Sequence, residues 1–243
     1  MAGLRREEVA VLAGISTEYY VRLEQGRERN PSDEVIAGIG KALRLNADAV
    51  AYMRSLASGR TRKLDGSAAA PLDPAIDTLI AGWPLAAAHV HDRSLTVVAA
   101  NPLARGLSPH FDVGSNALHA LFLEPQMREF YRDWQTVTSW TVRLVRAFVG
   151  RDPSPELLVS IDELSRVSER FRQLWAHHEV KHDSNGIILV DHPIVGPLDL
   201  HFQHLVLPGT GHTMVVYWAD PGSVSEDGLR RIAQTCKSHH LTT

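Results

Sequence analysis

Apolar residues recur at helical spacing through the first 57 residues of the chain. The pattern begins at Val9 and Leu12, repeats at Tyr20 and Leu23, and continues to Ala57. Spacings of three and four residues put such side chains on one face of a helix. The pattern therefore predicts four short helices and an all-α domain over residues 1–57.

Two polar stretches mark where these helices begin. Ser16 precedes the second helix, and its hydroxyl can accept a hydrogen bond from a free backbone amide. The sequence PSDE at 31–34 supplies a stop, a cap and two first-turn acids for the third helix. Residues 58–73 combine basic residues, glycines, an alanine run and proline, which interrupt the helical period. We interpret them as a linker to a second domain.

The second part of the chain has a mixed pattern. Apolar segments of strand length predict five strands, at 86–91, 95–100, 186–191, 198–206 and 212–219. Helical patterns are predicted at 124–150, at 154–178 and at 223–236. Two strands, several helices and three antiparallel strands describe an α+β domain with a helical insertion, which we assign to residues 74–236. Residues 208–211 are predicted to form the last hairpin turn and residues 237–243 a tail.

Composition and charge are those of a globular protein with a slightly basic head. Of 243 residues, 44% are hydrophobic and 22% charged, and no apolar run is long enough to cross a bilayer. We therefore expect a cytoplasmic protein that does not bind membranes. Residues 1–63 contain eleven Lys/Arg and eight Asp/Glu, a net charge of +3, so the remainder carries −6. Only the head is expected to meet polyanions.

The segment LRREEVAVLAGISTEYYVRLEQGR, at residues 4–27, has the features of a DNA-reading helix pair. Gly14 lies at the turn, and Tyr20 and Leu23 are predicted to point inward. The second helix then has a polar outer face, and arginines flank the pair at positions where they could meet phosphates. The alternative is a structural helical hairpin with a solvated basic face, and the arginine spacing alone leaves it open.

The order of residues resembles the Xre-type helix-turn-helix of bacterial repressors, which is lambda-repressor-like. The shared positions include LRREEVA, the AGIS turn and the LEQGR exit. The resemblance implies a homodimer that reads two half-sites of a double-stranded DNA operator, with the helix at about 16–25 in the major groove and Ser16 as its cap. The implied DNA-binding residues are Arg6, Ser16, Thr17, Glu18, Tyr19, Arg22, Gln25, Arg27 and Arg29.

One departure concerns the start of the head. The family has a further helix before the LRREEVA segment, and here only three residues precede Leu4. Without that helix, apolar faces of the later helices would be partly uncovered, at about 25 cal/mol per Å² of apolar surface left in water. We therefore expect either a start upstream of Met1 or a marginally stable head.

The second domain resembles the MmyB-like ligand-binding domain, a PAS-like sensor found behind this type of helix-turn-helix. The segments that carry the resemblance include DRSLTVVAANPLARGL, LFLEPQMREFYRDW and DHPIVGPLDLHFQHLVLPG. Ala100 stands where the family often has tryptophan. The resemblance implies a small apolar ligand of the acyl type, such as a fatty acid. The candidate ligand-binding residues are Trp83, Asn101, Leu103, Phe122, Trp134, Trp140, Leu144, Phe148, Phe171, Trp175 and Phe202.

Two other functions remain open at this point. A sensing module could act through a protein partner if its shortened head no longer bound DNA, and an enzyme could use the histidine-rich second domain. The thirteen histidines lack the spacing of a metal site, although His177, His178, His182 and His192 could converge. No nucleophile elbow, HExxH or phosphate-binding glycine loop occurs. We therefore predict no catalytic residues, metal or cofactor, and a ligand-responsive transcription regulator as the primary function.

Overall fold

A computed structural model describes residues 4–28, 30–57, 71–151, 153–177, 185–208 and 210–240 of the chain. These residues form two compact units. The first unit contains the N-terminal helices together with Arg143–Pro153, and the second contains the sheet and the remaining helices. Most of the predicted linker, Arg29, Gly209, His178 and His182 lie outside the described residues.

The N-terminal region is helical, as the sequence predicts. Its four helices are α1 (Arg6–Ala13), α2 (Thr17–Glu24), α3 (Asp33–Ala42) and α4 (Ala47–Ala57). The residue joining α1 to α2 is Gly14, whose φ of 72° lies in the left-handed region that glycine adopts without strain. The predicted caps are also present, because Ser16 Oγ accepts from Tyr19 N and Ser32 Oγ accepts from Val35 N. Local sequence alone therefore locates the helix starts.

A close approach between α1 and α3 holds the head together. A Cβ atom at Gly38 would lie 2.5 Å from the carbonyl oxygen of Ala13, so only glycine allows this separation. Val9 and Ile36 are buried at the contact. Leu12, predicted to point inward, is 57% exposed, because the buried side of α1 is formed by Val9 and Ala10 instead.

The second unit is built on a five-stranded antiparallel sheet. Its order is β2-β1-β5-β4-β3, which places the first two strands beside the last one. The strands are β1 (Ala87–His91), β2 (Val97–Ala100), β3 (Asn185–His192), β4 (Gly196–Val206) and β5 (Thr213–Trp218). The α+β prediction with two strands, a helical insertion and three strands is confirmed.

Eight α-helices accompany the sheet among the described residues. They are α5 (Pro74–Ala81), α6 (Pro102–Leu107), α7 (Ala117–Leu123), α8 (Pro125–Phe130), α9 (Trp134–Arg151), α10 (Pro155–Val167), α11 (Glu169–Ala176) and α12 (Val224–His240). The predicted helical block at 124–150 is wrong in one respect, because Tyr131 bridges Val190 of β3 and separates α8 from α9. A contact distant in sequence causes this break, and no local breaker residue marks it. Helix α12 continues four residues past 236.

The sheet separates two apolar clusters. The inner face, which carries Ala87, Leu200, Phe202 and Tyr217, packs against α6, α7, α8 and α12 in the larger cluster. The outer face carries Ala88, Val90, Met214 and Val216, which pack against Ile80 of α5. A ligand enclosed by the helical insertion would therefore meet the inner face.

Candidate functional sites

The outer surface of α2 is the candidate DNA-reading surface. Ser16 caps this helix, its Oγ accepting a hydrogen bond from Tyr19 N at 3.1 Å. Glu18 and Arg22 are exposed one turn apart, whereas Thr17 and Tyr19 are half-buried. The predicted readers therefore lie on one helix, with two charged side chains facing solvent.

The side chain of Arg22 is held over an aromatic ring. Its guanidinium carbon lies 5.7 Å from the centroid of Tyr19, a cation–π distance. A guanidinium group over a ring can still donate hydrogen bonds from its rim. Tyr19 can thus orient Arg22 for a bidentate contact with a base edge, without contacting a base itself.

Arg6 is paired within the head rather than free. Its Nε donates to Oε2 of Glu24 at 2.7 Å, which links the first residue of α1 to the last residue of α2. Both side chains keep solvent contact, with 63% and 43% exposed. The sequence predicts Arg6 as a DNA contact but gives no sign that Arg6 meets Glu24.

The remaining predicted DNA contacts lie at the end of α2. Gln25 follows the helix as its C-cap residue, and Arg27 is exposed after Gly26, whose φ is 68°. Arg27 N donates to the carbonyl of Arg22, so the turn positions Arg27 relative to α2. Arg29 lies outside the described residues.

The predicted ligand-binding residues do not form a single group. Four of them make a ring cluster within the helical insertion, with centroid distances of 6.3 Å for Phe122–Trp134, 5.2 Å for Phe122–Phe171 and 5.6 Å for Phe171–Trp175. The Trp134 indole donates to the carbonyl of Leu121 at 2.9 Å. This cluster joins α7, α9 and α11.

Three further predicted residues pack at the inner face. Leu103 is buried, and Trp140 contacts Phe202 at a centroid distance of 5.9 Å. Trp83 packs instead with the outer-face cluster, so the sheet separates it from the other candidates. Leu144 and Phe148, the other two candidates on α9, belong to the first unit, which includes Arg143–Pro153.

Asn101 is fully used by the fold. Its Oδ1 accepts from Ala88 N at 3.1 Å and from Ala104 N at 2.9 Å, and its Nδ2 donates to the carbonyls of Ile80 and Ala86. An amide side chain has two donors and two principal acceptor sites, so these four bonds satisfy it. The side chain is 2% exposed and has no capacity left for a ligand.

Sequence reasoning missed a polar group in the inner face. His89 of β1 is 2% exposed, and its ring stacks on Phe111 at 4.8 Å and lies 5.9 Å from Tyr217. Burial, followed by the nearby His91 and His204, lowers the pKa of His89 to about 3. The alternation in AAHVH, which puts Ala87 and His89 on one side of a strand, was the available signal.

Two tyrosines complete this part of the inner face. The hydroxyl groups of Tyr131 and Tyr217 are hydrogen-bonded to each other, and burial raises the pKa of both above the ordinary tyrosine value. Both phenols therefore stay protonated at neutral pH. Phe111 stacks on Tyr217 at 5.5 Å and meets Phe130 edge-on at 6.1 Å.

A metal site needs several ligating side chains close together, and a membrane span needs a long apolar helix. No group of three or more His, Cys, Asp or Glu in the described part of the chain is placed to hold a metal ion. No described helix has the length and apolar character needed to span a membrane.

Two family models match the chain. No curated protein matches the chain. A family model described as a helix-turn-helix domain matches residues 1–53, which contain α1 to α3 and part of α4. Both matching families are regulatory binding domains rather than enzymes. The model of the MmyB-like transcription regulator ligand binding domain matches residues 72–232, more than half of the chain, so the protein belongs to this family of transcription regulators.

Proposed function

We propose that the protein is a homodimeric regulator that binds operator DNA through α2 and changes this binding when a small apolar effector enters the second domain. The observation that carries the proposal is the stacked pair on α2. Arg22 is exposed and lies over the ring of Tyr19, one turn beyond the N-cap Ser16. A preordered guanidinium group on a capped helix suits bidentate recognition of a guanine edge in the major groove.

The backbone contacts in this proposal come from the ends of the helix pair. Arg27, after α2, would bind phosphate directly. Arg6 would keep its Nε bond to Glu24 and bind phosphate through its other guanidinium nitrogens. Arg29, Thr17, Glu18 and Gln25 stay predicted contacts. Two heads in a dimer would read two half-sites about one helical turn apart.

The effector would act by preferring one arrangement of the two heads. A ligand shifts such an equilibrium only as far as its affinities for the two arrangements differ. The ring cluster of Phe122, Trp134, Phe171 and Trp175 supports an apolar effector, because it brings aromatic side chains of three helices of the insertion together. A PAS-like sensor of an acyl-type molecule, working in the cytoplasm, is the corresponding biological role.

DNA binding by purified full-length protein tests the proposal. Fluorescence anisotropy with a fragment of the promoter of its own gene, against random DNA of equal length, should show a specificity ratio that Arg22→Ala reduces about tenfold or more, as expected for loss of one bidentate base contact. Arg166→Ala is the matched control, since it removes the same charge from an exposed position on α10. The Arg166→Ala ratio should equal that of the wild type.

Two outcomes would oppose the proposal. An unchanged ratio for Arg22→Ala would remove this residue from the reading surface. Absence of DNA binding by the wild type at low salt would favour the alternative, a sensing module that acts through a protein partner. Binding should also weaken steeply with salt, because phosphate contacts release counterions.

A further inference from the structure

His89 is one of four buried histidines among the described residues, and like His212 it has a ring nitrogen with no hydrogen-bond partner there. Its Nδ1 is enclosed and has no hydrogen-bond partner among the described residues. His192, also buried, donates from Nε2 to the carbonyl of Gly106 and accepts at Nδ1 from Ile194 N and Val195 N. Asn101 is likewise satisfied. A buried polar atom without a partner costs free energy, and such an atom in a binding domain marks a place where a ligand can supply the partner.

The rings that pack closest to His89 are aromatic and uncharged. Phe111 covers one face of the imidazole, and Phe130, Tyr131 and Tyr217 extend the aromatic surface. The ionisable groups that affect His89 most are His91 and His204, which would repel a proton on its ring. The tyrosine hydroxyls are bonded to each other and stay protonated. Nothing in this set would neutralise an anion.

We propose that His89 is the polar contact of the effector site and that the effector is an uncharged apolar molecule with one hydrogen-bonding group, such as a hydroxyl. This inference rests on the proposed sensing function and specifies its ligand. A neutral imidazole can donate or accept at Nδ1, so a hydroxyl or a carbonyl oxygen completes its hydrogen bonding. The aromatic surface of Phe111 and Phe130 then takes the hydrocarbon part.

A carboxylate is disfavoured in the same position. Burying an anion without a cation costs free energy. Among the described groups around His89, only the histidines could become that cation. Burial holds the pKa of His89 near 3, so protonating it at pH 7 opposes ion-pair formation. The effector would therefore be a long-chain alcohol, ester or ketone rather than a free fatty acid.

Two probes of equal chain length separate these classes. Displacement of the uncharged dye N-phenyl-1-naphthylamine from full-length protein at pH 7.5 gives the affinities of 1-decanol and of decanoate. We expect 1-decanol to bind at least tenfold more tightly than decanoate. Tighter binding of decanoate, equal affinity, or displacement by neither probe would overturn the inference. This comparison uses only the wild-type protein and so does not depend on a variant that folds.

A variant pair locates the contact. His89→Phe should weaken 1-decanol about tenfold and leave decanoate within twofold, because it removes the hydrogen bond and keeps the ring. His201→Phe is the control, since His201 lies on the outer face, stacked on Trp218, and should leave both affinities unchanged. Unchanged 1-decanol binding by His89→Phe would overturn the assignment of this residue.

Anisotropy with promoter DNA on the same preparations distinguishes the two proposals. DNA binding without a preference for 1-decanol refutes only the ligand class. A preference for 1-decanol without DNA binding refutes only the proposed regulator.

Discussion

The Nε atom of Arg6 donates a hydrogen bond to the Glu24 carboxylate at 2.7 Å and so ties the start of α1 to the end of α2. Both side chains are exposed, and ion pairs of this kind contribute about 0 to 1 kcal/mol to stability. The pair therefore acts mainly by fixing where the guanidinium group lies beside α2.

Replacing Arg6 with alanine should lower DNA affinity while leaving the stability of the protein almost unchanged. We expect Arg6→Ala to change the free energy of unfolding by less than about 1 kcal/mol. DNA affinity should fall by roughly three- to tenfold for specific and random DNA alike, because a phosphate contact carries no sequence information. Urea unfolding and fluorescence anisotropy give the two quantities. A changed ratio of specific to random binding would show that Arg6 reads bases.

Gly38→Ala should disrupt the head. The added Cβ would meet the Ala13 carbonyl oxygen at 2.5 Å, which forces α1 and α3 apart. Overpacking of this kind costs about 1 to 3 kcal/mol, and DNA binding should fall with the loss of head structure. Gly82→Ala, where the nearest atom would be 3.5 Å away, is the control in the second unit. Circular dichroism melting should show a lower transition for Gly38→Ala alone; equal melting would disprove the tight contact.

Asn101→Leu should destabilise the second unit strongly. The substitution removes the side-chain partner of the Ala88 and Ala104 amides and of the Ala86 carbonyl. The Ile80 carbonyl keeps its bond from Trp83 N. We expect a loss of about 3 kcal/mol or more, since each orphaned buried group costs about 1 to 3 kcal/mol. Ser154→Ala, which removes one cap bond to Leu157 N, should cost about 1 kcal/mol. Similar urea midpoints for the two variants would argue that Asn101 is not the structural link.

Acid should unfold the second unit partly through His89. Its pKa is 6.5 when unfolded and about 3 when folded, so between these values the unfolded state binds more protons. The stability due to this residue is present above pH 6.5 and is lost as the pH falls towards 3, by up to about 1.4 kcal/mol per pH unit. Urea unfolding followed by tryptophan fluorescence at pH 7, 6, 5 and 4 measures the slope.

His89→Phe is the comparison for this pH dependence. Carboxylates also titrate in this range, so the informative quantity is the difference between the slopes of the wild type and the variant. The variant should have the smaller slope and, because it removes an unpartnered buried atom, an equal or higher stability at pH 4. Identical slopes would mean that His89 does not titrate on unfolding.

Local features of the sequence were sufficient to predict the helix starts and the positions of the strands along the chain. The hydroxyls of Ser16 and Ser32 cap their helices as the sequence predicts, because capping depends on residues three positions away. The break at Tyr131 could not be predicted in the same way. It depends on Val190, which is distant in the chain, and the helical period continues through it.

The sequence locates the candidate ligand site less well than the candidate DNA-binding surface. Trp83 and Phe202 both read as aromatic core residues, yet the sheet places them on opposite faces. The sequence does not mark His89 as a candidate ligand contact, because that role depends on its burial and on the lack of a partner for Nδ1 among the described residues. Both properties arise only when distant segments pack together. By contrast, the candidate reading residues Thr17, Glu18, Tyr19 and Arg22 all lie within the eight residues of α2.

The hydrogen bonds of Asn101 also bear on how the second unit assembles. One side chain joins α5, β1 and α6, so it is satisfied only when all three segments have met. In a partly assembled chain the side-chain amide of Asn101 would lack hydrogen-bond partners, which disfavours intermediates that contain only two of the segments. The backbone amides of Ala88 and Ala104 should consequently exchange their protons with solvent in one common opening event, although they belong to a strand and a helix.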